Sequence, residues 1–295
     1  MRGFHVLSTR PGDTYYHRAG GLDFALKDFE LLTAVLSALE WRRHNGTIKL
    51  YADAAGAKYF ANLGLSAIWD EGIDTETLER SDLDTSFNVF WAYARTVALA
   101  AERAPCVLMD MDLIVWRNLD SLIRSPFMAI HAEGLDFDVY VPKEQLGTAP
   151  GYAWGDWDWT VSPANAAVLY FGRDDVLELC RQEGLKFMHG NFRPKEYSWP
   201  AHAVFVEQRL YPMCAASLGV HAEYFLENYH GERLAGGSAN DAFTHLWLYK
   251  RRLMGDEGAR RDICQRLAAR LLRDFPEWHH VLANIRSISP YLEST

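Results

Sequence analysis

Short apolar runs alternate with segments of helical periodicity through the first 110 residues, and this alternation constrains the fold more than any other feature. Phe4 to Thr9 (FHVLST) predicts a buried strand ending at the turn signal Arg10-Pro11-Gly12-Asp13. From Leu26 to His44, Phe29, Leu32, Val35, Leu36 and Leu39 recur at helical spacing, and Asn45-Gly46 closes the helix. Thr47 to Tyr51 (TIKLY) predicts a second strand leading into Ala52-Asp53. Ala55 to Leu63 predicts a helix closed by Gly64, and Ser66 to Trp69 a third strand. Phe90 to Arg103 predicts a helix with Val97 and Ala101 on one face and Arg95 opposite, stopped by Pro105. Cys106 to Met109 (CVLM) is continuously apolar, as in a strand covered on both faces. The pattern predicts an α/β fold: a mainly parallel sheet flanked by helices, with ligands bound beyond the carboxyl ends of the strands.

The second half is less regular. Residues 134–160 are rich in Gly, Asp and Trp and predict a long functional loop. Ala166 to Phe171 predicts a strand, Asp174 to Glu183 a helix, 185–200 a loop and Ala203 to Ala216 a helix. Leu234 to Asn240 predicts a loop before Ala242 to Arg252, and Arg260 to Phe275 a basic amphipathic helix. No Pro/Ser-rich linker divides the chain, so residues 1–295 are expected to form a single domain with loop insertions.

Composition narrows the function classes. With 49% hydrophobic and 23% charged residues the chain is globular rather than disordered. A net charge of −9 disfavours nucleic acid as a partner. No apolar run is long enough to span a bilayer, and the N-terminal run is too short for a signal-peptide core. The basic C-terminal helix leaves peripheral contact with an acidic membrane surface open. Cys106, Cys180, Cys214 and Cys264 form no CxxC and suit reduced thiols, so a cytoplasmic location is expected. Nothing in the sequence sets an oligomeric state.

The chemistry concentrates at Asp110-Met111-Asp112, directly after CVLM. In extended chain residues i and i+2 face the same side, so two carboxylates converge at a strand end. Such a pair needs a cation or a retained proton, and its oxygens suit Mg²⁺ or Mn²⁺. Two unrelated acids at a strand terminus are the plainer alternative. Ten tryptophans are present, and Trp154, Trp157 and Trp159 cluster beside Asp156 and Asp158. Aromatic faces with neighbouring carboxylates suit a sugar ring, although core packing explains single tryptophans equally well.

The segment Pro105 to Leu119 (PCVLMDMDLIVWRNL) resembles the DxD segment of GT-A glycosyltransferases. In chain order, residues 4–252 are similar to the family 8 (glycogenin- and bacterial galactosyltransferase-like) enzymes and their capsular-polysaccharide relatives. Arg95 matches their basic residue before the DxD strand. Asn165-Ala166-Ala167-Val168 resembles their Asn-Ala-Gly-Val, Glu207-Gln208 their acid–Gln pair, and His245 with Lys250 and Arg251 their His-x-x-Gly-x-x-Lys. Ala167 and Leu248 stand where those enzymes carry Gly, and Arg251 rather than Lys250 falls at the matching basic position.

The resemblance implies a GT-A (Rossmann-like) fold and a metal-dependent hexosyl transfer from a nucleotide-sugar, UDP-linked by expectation, to a saccharide or other acceptor. It implies a nucleotide-binding half over 1–120, a sugar and acceptor half over 121–255 and a C-terminal helical segment over 256–295. Asp110, Asp112 and His245 would hold Mn²⁺ or Mg²⁺. Ser8, Thr9, Asp53, Arg95, Asp110, Asp112, Lys250 and Arg251 would bind the nucleotide-sugar, and Glu207 and Gln208 would serve catalysis. Trp154, Asp156, Trp157 and Asn165 would border the sugar and acceptor, with His131 and Glu133 as further polar residues after an apolar run. Two other readings stay open. Asp110 and Asp112 also resemble the first motif of HAD-like phosphohydrolases (nucleophile and general acid/base), and the tryptophans alone suit a non-catalytic carbohydrate-binding protein.

Overall fold

Strand β1 (Arg2–Leu7) alternates its side chains between two cores, sending Phe4 to one face of the sheet and Leu7 to the other. The computed structural model describes residues 1–9, 24–79, 90, 92–135, 139–191, 201–226 and 242–292. The expected turn at Arg10 to Asp13, residues 192–200 of the expected 185–200 loop, and the Leu234 to Asn240 loop lie outside them, whereas 185–190 are helical rather than loop, continuing the helix that starts at Asp174.

Helix α1 (Asp28–His44) follows, with acids in its first turn and Arg42, Arg43 and His44 in its last, as the helix dipole favours. Gly46, at φ 127°, turns the chain where a side chain would be strained, and leads into β2 (Ile48–Ala52). Asp53 caps α2 (Ala54–Asn62) by accepting from the Gly56 amide at 3.0 Å. The expected strand over Ser66 to Trp69 is instead a 3₁₀ turn at Ser66–Ile68, and the third strand is β3 (Ile73–Asp74). Four residues carry no period that separates the two structures, and only Ile73–Asp74 finds a partner, on β2. After α3 (Glu76–Glu79) come α4 (Tyr93–Ala98), a 3₁₀ turn at Leu99–Ala101, β4 (Cys106–Met109), β5 (Leu113–Val115) and β6 (Phe127–Ala129). Then follow β7 (Val168–Phe171), α5 (Asp174–Gly190), α6 (Ala201–Val204), a π-helical turn at Phe205–Leu210, and α7 (Tyr211–Ser217). The chain ends through β8 (Glu223–Tyr224), β9 (Phe243–His245), α8 (Lys250–Gly255), α9 (Glu257–Asp274) and short helical turns.

Seven of these strands form one sheet in the order β3-β2-β1-β4-β7-β6-β8, and β5 pairs with β9 in a small ribbon. The β3-β2-β1-β4 half is parallel, β7 is antiparallel to both its neighbours, and β8 is parallel to β6. The α/β class with a mainly parallel sheet therefore holds. Each central strand feeds both cores. Val107 and Met109 of β4 pack with α1, α9, β5 and β9, whereas Cys106 and Leu108 pack with α4, α5 and α7. Each fully buried Leu or Phe adds about 1.5–3 kcal/mol. All four cysteines are buried free thiols. No described helix is long and apolar enough to cross a membrane.

A buried charge cluster joins α1 to α9. Glu40 has no exposed side-chain surface and lies 3.1 Å from His44 Nε2, 3.5 Å from Arg270 and 3.9 Å from Arg43. Burial pushes its carboxyl up to about 7, against the pull of the two arginines. A carboxyl raised in the folded state stabilises fully below its unfolded pKa, and that contribution is lost as pH rises through about 7. Glu40→Gln should therefore remove up to ~3 kcal/mol of pH dependence between pH 5 and 8. Urea midpoints of wild type and variant across that pH range check this. Equal slopes would show that Glu40 is ionised throughout.

Candidate active site at the seam between the two cores

Strand β4 stops at Met109, and the chain turns, with the Leu113 amide donating to the Asp110 carbonyl at 3.2 Å. The two carboxylates therefore converge through a turn, not through the extended spacing expected from sequence. The pairing of β5 with β9 needs that reversal, and it sets Leu113 opposite His245. The Leu246 amide then donates to the Asp112 carbonyl at 3.0 Å. Asp110, Asp112 and His245 each place a donor atom within 4.8 Å of the others.

Each carboxylate is tied to a cation from a different core. Arg95, on α4, contacts Asp110 Oδ1 through Nη1, reaches Glu207 Oε1 at 2.6 Å through Nε, and donates from Nη2 to the Ala166 carbonyl. Lys250, opening α8, lies 2.9 Å from Asp112 Oδ2 and 3.9 Å from Glu30 on α1. Arg251, one position on, is exposed. Helical rotation separates the two, so Lys250 is the cation brought to the carboxylates. Burial opposes ionisation of Asp112, yet Lys250 and His245 hold its carboxyl well below the usual range.

His245 is 7% exposed and lies 3.6 Å from Asp112 and 3.8 Å from Asp110, too far for hydrogen bonds. Among the described residues neither ring nitrogen has a hydrogen-bond partner. Two carboxylates and an unsatisfied buried imidazole fit a divalent cation, and the imidazole favours Mn²⁺ over Mg²⁺.

Glu207 and Gln208 lie on the π-helical turn, a distortion that often accompanies function. Glu207 is 3% exposed, and burial raises its carboxyl while Arg95 pulls it back. Gln208 accepts from Tyr140 Oη at 2.6 Å. Asn165 donates to Glu133 at 2.9 Å and accepts from the Ala167 amide, while the Asp110 amide donates to the Ala167 carbonyl at 2.9 Å. The Asn165 run thus borders the acidic turn.

Ser8, Thr9 and Asp53 form a second cluster. Asp53 Oδ2 accepts from the Thr9 amide at 2.5 Å and its hydroxyl at 2.9 Å, with Ser8 Oγ at 3.5 Å. It ties the carboxyl ends of β1 and β2 together.

The tryptophan loop packs on the helix that carries Glu207. Trp159 stacks on Phe205 at 5.7 Å, and Trp154 meets Phe205 edge-on at 5.6 Å. Buried Arg209 holds the loop by donating to the carbonyls of Trp159 (2.6 Å) and Val161 (3.3 Å). The half-buried Trp157 ring lies against Gly155, and Asp156 is exposed. The polar segment Ser238 to Asp241 lies outside the described residues.

Sequence reasoning passed over His5. Its Nδ1 accepts from Trp69 Nε1 at 3.2 Å and its Nε2 meets Ser37 Oγ at 3.1 Å, while Ser37 donates to the Leu113 carbonyl beside Asp112. Burial, then Arg95, pushes its pKa down to about 3, so a neutral ring braces the acidic turn. A histidine inside an apolar strand was the available signal.

No curated protein matches the chain. Among solved structures it resembles the PaToxG glycosyltransferase (8% identity, TM-score 0.38, covering 74% of this chain and 69% of that one). It also resembles apo-form glycosyltransferase GlyE of Streptococcus pneumoniae TIGR4 (13%, TM-score 0.39, 75% and 44%). An active-site mutant of LgtC aligns at 14% identity and TM-score 0.35, over 83% of this chain and 86% of that one. The chain thus spans under half the length of GlyE. The family model that matches is described as a family of unknown function, DUF6734, and it spans residues 12–285, so the chain belongs to that family.

Proposed function

We propose that the protein is a metal-dependent GT-A-type glycosyltransferase that moves a sugar from a nucleotide-sugar, UDP-linked by preference, to a saccharide acceptor. The observation that carries this reading is the Asp110–Asp112–His245 cluster, set beyond a central strand with Arg95 and Lys250 as flanking cations. Asp110, Asp112 and His245 would hold Mn²⁺ or Mg²⁺. A divalent cation there offsets the negative charge of a diphosphate leaving group. Lys250 supplies a second positive charge for that group, and Arg251 is left to the surface. Ser8, Thr9 and Asp53, at neighbouring strand ends, are assigned to the base and ribose. Glu207 and Gln208 lie beneath the transferred sugar, where a buried carboxylate stabilises positive charge developing at the anomeric carbon. Asn165 borders that sugar, and Trp154, Asp156 and Trp157 form the acceptor side.

A phosphohydrolase reading leaves His245 without a role, whereas the metal reading uses its unsatisfied imidazole beside both carboxylates. Incubation with a panel of nucleotide-sugars and Mn²⁺ tests the proposal. Release of a nucleoside diphosphate from at least one donor, abolished by EDTA, is expected. Release of inorganic phosphate from phosphomonoesters with no nucleoside diphosphate formed would favour the phosphohydrolase.

A further inference from the structure

Metal-bound histidines ordinarily donate their second ring N–H to a carboxylate, carbonyl or water, which fixes the ring and raises its basicity. His245 has no such partner among the described residues, at either nitrogen. Its χ2 torsion is intrinsically broad, so the imidazole needs another restraint to present one nitrogen to Asp110 and Asp112.

Trp247 provides a surface for that restraint. Its ring is nearly parallel to the imidazole, at 17° with centroids 6.3 Å apart. Yet Trp247 is 52% exposed, so burial alone gives little reason for a residue of that size here. The indole also rides on a rigid frame shared with the acids. The β5–β9 pairing fixes the His245 backbone, the Leu246 amide bonds the Asp112 carbonyl, and the turn at Trp247–Tyr249 leads directly to Lys250.

We propose that Trp247 is a positioning residue for the metal site, orienting the His245 imidazole by stacking in place of the missing hydrogen bond. This rests on the reading that Asp110, Asp112 and His245 hold a divalent cation. Mn²⁺ binding, followed by the paramagnetic resonance signal of the free ion, tests it without turnover. Trp247→Ala should weaken Mn²⁺ about tenfold, the scale seen when a ligand's supporting contact is lost. Trp247→Phe, which keeps an aromatic face, should restore most of the affinity, and Trp247→Leu, which keeps only apolar bulk, should not. In a His245→Ala background Trp247→Ala should have no further effect.

Unchanged Mn²⁺ affinity in Trp247→Ala would overturn the proposal while leaving the metal site standing, even if UDP bound more weakly. An equal loss in the His245→Ala background would overturn it too. Wild-type protein that binds no Mn²⁺ would overturn the metal site itself and this proposal with it.

Discussion

Asp112→Asn should lower nucleotide-sugar turnover by about 10²–10³-fold, the scale expected when a group that stabilises the leaving charge is removed. The carboxylate is 9% exposed and, among the described residues, is the one acid that lies within 4 Å of both Lys250 and His245. An amide keeps the shape but halves the oxygen donors and removes the charge. The fold should survive, because Lys250 is 25% exposed and lies 3.9 Å from Glu30, which can take over as its counter-ion. Steady-state release of nucleoside diphosphate at saturating Mn²⁺, with circular dichroism as the fold control, measures the effect. Turnover within a few-fold of wild type would remove Asp112 from the site.

Arg95→Met should destabilise the protein by about 3–5 kcal/mol at alkaline pH, the cost of leaving a buried charge without its partner. Glu207 is the group left behind: it is 3% exposed, and Arg95 is its only ion-pair partner among the described residues. The direction with pH follows from the raised Glu207 carboxyl. Without Arg95 it rises further, so the variant is least impaired at acid pH, where the carboxyl is neutral, and loses stability as pH rises. Melting temperatures at pH 5.5 and 8.5 should diverge from wild type, and adding Glu207→Gln should recover most of the alkaline loss. A deficit independent of pH would show that the arginine acts through packing alone. Its three arms are already engaged by Asp110, Glu207 and the Ala166 carbonyl. The geometry thus makes it a strut between the two acids more than a free phosphate ligand.

Much of the fold is legible where a local pattern and its tertiary use agree. CVLM reads as a strand because every residue is buried, alternately in two cores. Asp53 reads as a strand-end polar residue because it caps α2 as well as holding Thr9. The misreadings occur where long-range pairing decides. Leu113–Val115 is a strand only because Phe243–His245, far along the chain, lies beside it, and that pairing turns the chain at Asp110. Phe127–Ala129 and Glu223–Tyr224 are too short to carry a period. Of the two adjacent basic residues at the end of the site, resemblance in spacing favours Arg251. The rotation of α8 brings Lys250 inward instead, a fact of three-dimensional register. The tryptophan cluster reads as a sugar platform from sequence, whereas Trp154 and Trp159 also pack on Phe205; both uses are compatible on a loop held by Arg209.

Calorimetric titration of UDP into the protein, with Mn²⁺ and then with EDTA, tests most directly whether the acidic turn is a metal–diphosphate site. The account predicts saturable binding with Mn²⁺ that is lost in EDTA and in Asp112→Asn. Equal UDP affinity with and without the metal, or unchanged affinity in the variant, would contradict it.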